Sequence, residues 1–132
     1  MRVTVEFSWR TRGPVRLEAG RLRFPDAPEA PGIYRFDLRD RVYIGETDRL
    51  RRRFQHYRTP GPTQLTNLRL NALLLQLLEE PRTIDVSTVT EANVEIDGTA
   101  APLDLRHKAA RRLVENAALT AAIAAGERVE NL

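Results

Sequence analysis

Apolar and polar residues alternate through the opening of the chain. Val3, Val5 and Phe7 sit between polar neighbours, and Val15, Leu17, Leu22 and Phe24 resume the alternation around Ala19-Gly20. A period of two predicts short, half-buried strands, with turns at residues 11–14 and at Ala19-Gly20. Residues 24–31 hold three prolines in eight positions, too many for a helix or a central strand, so an extended entry segment is expected. Strands follow over residues 32–37 and 41–45. A helix is predicted over 48–58 with Thr47 as its N-cap, and Pro60 and Pro62 end it. Residues 63–80 read as a leucine-rich helix, apolar on most sides and expected to be buried, stopped by Pro81. A third strand is expected over 83–90, then a short strand through Val94 and Ile96 turning at Asp97-Gly98. The last helix spans 104–125, with Asp104 as N-cap and Gly126 as its stop. Its apolar stripe is expected through Leu105, Ala109, Leu113, Ala117 and Ala124, leaving Glu115 off the stripe near Lys108, Arg111 and Arg112.

This element order defines an α/β (α+β) chain: a small three-stranded core sheet flanked by helices, with extra N-terminal strands. At 132 residues one domain is expected, residues 1–30 forming the strand extension and 31–132 the core. The absence of cysteine excludes a disulfide framework, a thiolate zinc site and a cysteine nucleophile, and fits a cytoplasmic location. The first nine residues lack the apolar run of a signal peptide. The longest apolar stretch, 117–125, is too short to span a bilayer, so no membrane association is expected.

Charge adds a partner. Twenty of the 21 basic residues are arginine, whose planar fork suits phosphate oxygens, although a GC-rich genome produces the same bias. Position is more informative. Residues 1–58 carry 14 arginines against eight acids, whereas residues 59–132 carry seven basic against ten acidic residues. Such asymmetry points to one basic face and a polyanionic partner. Arg49, Arg51, Arg52 and Arg58, on the helix over 48–58, are the candidate nucleic-acid contacts.

Two tyrosines carry the chemistry. Gly32-Ile33-Tyr34 opens one strand and Tyr43-Ile44-Gly45 closes the next. A four-residue loop over 37–40 pairs positions that sum to 77 and sets Tyr34 directly opposite Tyr43, both phenols on one face. On the following helix Arg53 and Tyr57 share a face, with His56 on another. Taken alone, the tyrosines also fit a plain aromatic core. Two histidines and no cysteine make a protein-only transition-metal site improbable, and His107 reads as a surface residue.

The ordered set Gly32-Ile33-Tyr34, Tyr43-Ile44-Gly45, Arg53 and Tyr57 resembles the GIY-YIG nuclease superfamily over residues 31–132. Glu115 in Leu113-Val114-Glu115 fits that family's helical glutamate, and Asn131 in Arg128-Val129-Glu130-Asn131 fits its asparagine. Residues 91–103 read as an insertion, and the hairpin is tighter than is usual in the family. The resemblance implies a GIY-YIG-like fold and a metal-dependent endonuclease hydrolysing phosphodiester bonds, most simply in DNA. It implies that Tyr34, aided by Tyr43, acts as general base and that Glu115 holds Mg²⁺ or Mn²⁺. Arg53 would neutralise transition-state charge, Tyr57 or His56 would orient phosphate or water, and Asn131 would complete the site. A free phenol, with a pKa of about 10, needs the cation and Arg53 nearby to serve as a base at neutral pH. The alternatives are a non-catalytic nucleic-acid-binding module of the same fold, or an interaction protein whose tyrosines are core.

Overall fold

The computed structural model describes residues 1–130. Along the chain it contains β1 (Val3–Phe7), β2 (Arg10–Glu18), β3 (Arg21–Arg23), β4 (Gly32–Asp37), β5 (Val42–Thr47), α1 (Leu50–Arg58) and α2 (Leu65–Leu77). β6 (Ile84–Val89), β7 (Ala92–Ile96), β8 (Thr99–Pro102) and α3 (Lys108–Ala124) follow. The class is mixed α and β, as the alternation of periods predicts.

The main sheet has five antiparallel strands in the order β3-β2-β6-β4-β5, not three. β2 runs unbroken through residues 11–14, where a turn is expected, because Gly13 forms a bulge that shifts the register after Thr11. Pro14 lies beyond the end of β3, where β2 is an edge and a missing N–H is tolerated. A second sheet, β1-β7-β8, joins the N-terminal strand to the segment read as an insertion, Val3↔Ile96 through Phe7↔Ala92. Both short hairpins reverse over two left-handed residues, Ala19-Gly20 and Asp97-Gly98, which matches the right-handed twist of their strands.

The alternation along β4 divides its side chains between two layers. Tyr34 and Phe36 pack with Leu50, Phe54, Tyr57, Leu70 and Leu74 from α1 and α2. Ile33 packs with Val42, Ile44, Val114 and Ala118 on the α3 side. α1 buries Leu50, Phe54 and Tyr57, one stripe at helical spacing. It begins two residues later than expected, and Thr47 does not cap it. The Thr47 hydroxyl instead accepts the Arg49 N–H at 3.2 Å, while Ala30 and Pro28 carbonyls accept the N–H groups of Leu50 and Arg51 at 2.9 and 3.3 Å. The proline-rich segment thus serves as the helix cap.

Three further expectations fail. α2 buries only Asn67, Leu70 and Leu74, and Leu65 is 63% exposed, so its apolar residues do not all find cover. α3 starts at Lys108, the Asp104 carboxylate taking the Arg106 N–H instead of capping the helix. Its buried row is Arg111, Val114, Ala118 and Ala122, while Leu113 points outward at 38% exposure. Alanines on most sides give the pattern little phase, and a buried arginine breaks it. The rotation moves Glu115 from the expected solvent side to the flank of the buried row, where it is half-buried.

Candidate active site

β4 and β5 are joined by a four-residue loop, 38–41, one position later than expected, so paired positions sum to 79. Tyr34 therefore faces Gly45, and Tyr43 faces Phe36. Tyr34 and Tyr43 are not opposite each other. They remain on one face because the slip is two residues, and their rings lie 6.3 Å apart on the diagonal. The phenol of Tyr34 lies across Gly45. A Cβ there would stand 2.5 Å from Tyr34 Cζ and closer still to its hydroxyl, so only glycine fits. Gly32 is a second such position, where a Cβ would meet the Val89 carbonyl at 2.5 Å.

α1 brings Tyr57 onto the same cluster. The Tyr34 and Tyr57 hydroxyls are hydrogen-bonded at 2.5 Å inside a group of rings that includes Phe24, Phe36, Phe54 and Tyr43. Tyr34 and Tyr57 are 2% and 1% exposed, and Tyr43 is half-buried. One bond serves two hydroxyls, so one phenolic proton is left for a further acceptor. Burial and the neighbouring Tyr57 and Tyr43 phenols push the Tyr34 pKa well up, and Arg53 opposes this only weakly. Burial likewise raises Tyr57. Arg53 lowers the Tyr34 pKa, as expected, but burial outweighs it and this phenol is neutral at neutral pH.

Arg53 sits with its guanidinium 6.0 Å from the Tyr57 ring centre. It is half-buried, and its side chain makes no hydrogen bond or ion pair among the described residues. It opens into a cleft shared with Thr47, Arg52, His56 and Asn67, between the end of β5, α1 and α2. Tyr34 and Tyr57 lie behind that cleft and not on its wall. Arg52 faces it too, but is bound to Asp48 at 2.6 Å. Arg51 points away, donating to the Ala27 carbonyl at 3.0 Å, and lines the opposite side of α1 with Arg58; Arg49 is exposed just before the helix.

Glu115 occupies the α3 side of the sheet, away from the phenols, and makes no direct contact with them among the described bonds. Burial and the adjacent Glu46 carboxylate raise its pKa, with Arg112 opposing. Glu46, on the α3 face of β5, accepts the Arg111 Nε–H at 2.6 Å, and Arg111 also donates to the Leu105 and Arg106 carbonyls at 3.0 Å each. Neither residue was singled out by sequence. The signal was the inward position of Glu46, in step with Ile44, together with an arginine one turn before Glu115. Asp48, held low by Arg52 with a contribution from Arg111, links the two sides around the end of β5. Because β5 is an edge strand, the Arg53 cleft and the Glu46–Glu115 pair share that strand end. Asn131 lies outside the described residues.

Glu46 is the carboxylate beside Glu115, and no group of three or more ligating side chains occurs among the described residues. Glu46 is held by Arg111, which leaves the half-buried Glu115 carboxylate as a single oxygen ligand; that suits a hard divalent cation that keeps most of its waters, as Mg²⁺ does, and not a zinc-type site. No described helix is long and apolar enough to cross a membrane. No family model, curated protein or solved structure matches the chain.

Proposed function

We propose that the chain is a metal-dependent endonuclease of GIY-YIG type, acting on phosphodiester bonds in nucleic acid, with DNA as the expected substrate. The observation that carries this reading is the Arg53 guanidinium, half-buried beside the Tyr57 ring, without a partner among the described residues and open to a cleft. A buried-side cation without a protein acceptor suits an anion, and a phosphoryl oxygen is the natural one. Arg53 stabilises the charge that develops on phosphorus-bound oxygens. The neutral Tyr34–Tyr57 pair holds Tyr43 and Arg53 in place from behind the cleft; Tyr34 does not act as the base. His56, on the cleft wall, is the side chain placed to accept the proton of the attacking water. Glu115, with Glu46 beside it, would hold Mg²⁺ or Mn²⁺, which when bound acidifies water and stabilises the leaving oxygen. Fixed donors of this kind are commonly worth ~10²–10³ in rate each.

The deep burial of both phenols favours a second reading, a nucleic-acid-binding module of the same fold without turnover. Incubating the protein with single- and double-stranded DNA and RNA, in Mg²⁺, Mn²⁺ or EDTA, separates them. The enzyme cuts only with a cation, and the module binds without cutting.

A further inference from the structure

We propose that the groove between the β2–β3 hairpin and the far side of α1 is a second contact surface for a nucleic-acid backbone. Arg21, Arg23, Arg51 and Arg58 rim it, and Leu22, Phe24 and Phe54 form its floor. It continues past Arg23 into a shallower groove edged by Arg12 and Arg16. Glu18 and Asp26 supply negative charge along this path, and Glu29 stands 3.9 Å from Arg51. Arg23 is paired with Glu18 at 2.9 Å, whereas Arg16, Arg21 and Arg58 are exposed and have no ion-pair or hydrogen-bond partner among the described residues. Arg16 and Arg23 stand directly opposite each other in the β2–β3 register. Glu18 answers Arg23, and Arg16 beside it is left for an outside anion. Six arginines strung around a strand edge and a helix suit an extended polyanion, not a single small anion, and the guanidinium fork matches phosphate.

This groove and the Arg53 cleft lie on opposite sides of α1. A helix is ~10–12 Å across, or about three nucleotide rises of ~3.4 Å, so the groove holds backbone that flanks the stretch in the cleft. The flanking role rests on the nuclease reading; the affinity of the groove does not.

The test uses the Glu115→Gln protein, a labelled duplex, and salt from ~50 to ~200 mM, with Arg16→Gln/Arg21→Gln compared against its parent. Two lost phosphate contacts flatten the slope of log K against log salt by about 2. Where the double variant misfolds, Arg21→Glu, checked for folding by circular dichroism, takes its place and lowers affinity. An unchanged slope overturns the proposal. So does DNA binding that stays constant while binding to phosphatidylserine vesicles falls. A flattened slope, with a wild-type protein that cuts in no cation, removes the nuclease reading and keeps the groove; wild-type cutting with an unchanged slope removes the groove alone.

Discussion

The Tyr34 phenol lies across Gly45, its partner in the β4–β5 ladder, and occupies the space a side chain would need. One residue of each tripeptide is thus explained by a single contact. Gly45 is bare so that Tyr34 can cross it, and Tyr34 crosses it to reach Tyr57.

Gly45→Ala should destabilise the fold by about 1–3 kcal/mol, the range for forcing extra volume into a packed core. Chemical denaturation measures it. A loss below ~0.5 kcal/mol means that the ring moves freely and the contact is incidental.

Tyr34→Phe and Tyr57→Phe each strand the partner hydroxyl in a dry cluster, which costs about 1–3 kcal/mol. The double variant should cost less than the two singles added together. Strict additivity in this cycle would show that the two hydroxyls do not interact in solution.

Glu46→Gln should keep an acceptor for Arg111 Nε while removing the charge that presses on Glu115. The Glu115 carboxyl should then titrate lower, as followed by carbon-13 NMR. An unmoved titration places Glu46 too far away to matter. Arg111→Met is a harsher change: it leaves a shielded carboxylate and two carbonyls unpaired, and a loss of ~3–5 kcal/mol is expected.

Glu115→Gln should raise the melting temperature at neutral pH. The folded protein raises the pKa of this carboxyl, so ionised Glu115 disfavours the folded state. Its stabilising share is present below the unfolded carboxyl pKa and is lost as pH rises through the folded value. The gain from Gln should therefore shrink as pH falls into the carboxylate range. A lower melting temperature at pH 7 contradicts this assignment.

Much of the element order was legible because strands, turns and capped helices carry local signals. The Tyr34–Tyr43 face survived a one-position error in the loop because the pleat repeats every two residues. What failed depends on partners distant in sequence. Gly13 and Pro14 read as a turn until β6 pairs with them. Thr47 reads as a cap until the carbonyls of Pro28 and Ala30 take its place. The stripe of α3 was misjudged because Arg111 is buried only by virtue of Glu46, 65 residues earlier. The same pair explains why the surroundings of Glu115 stayed hidden while Glu115 itself did not. The candidate base Tyr34 was found by pattern, but its protonation is set by burial, which no tripeptide encodes.

Relaxation of supercoiled plasmid by the wild-type, Arg53→Gln and Glu115→Gln proteins, each with Mg²⁺, Mn²⁺ or EDTA, tests the account most directly. The wild type should nick in either cation and not in EDTA, and each variant should fall by ~10²–10³ while still binding DNA. No cleavage in any cation, cleavage that persists in EDTA, or variants within ~10-fold of wild type would contradict it.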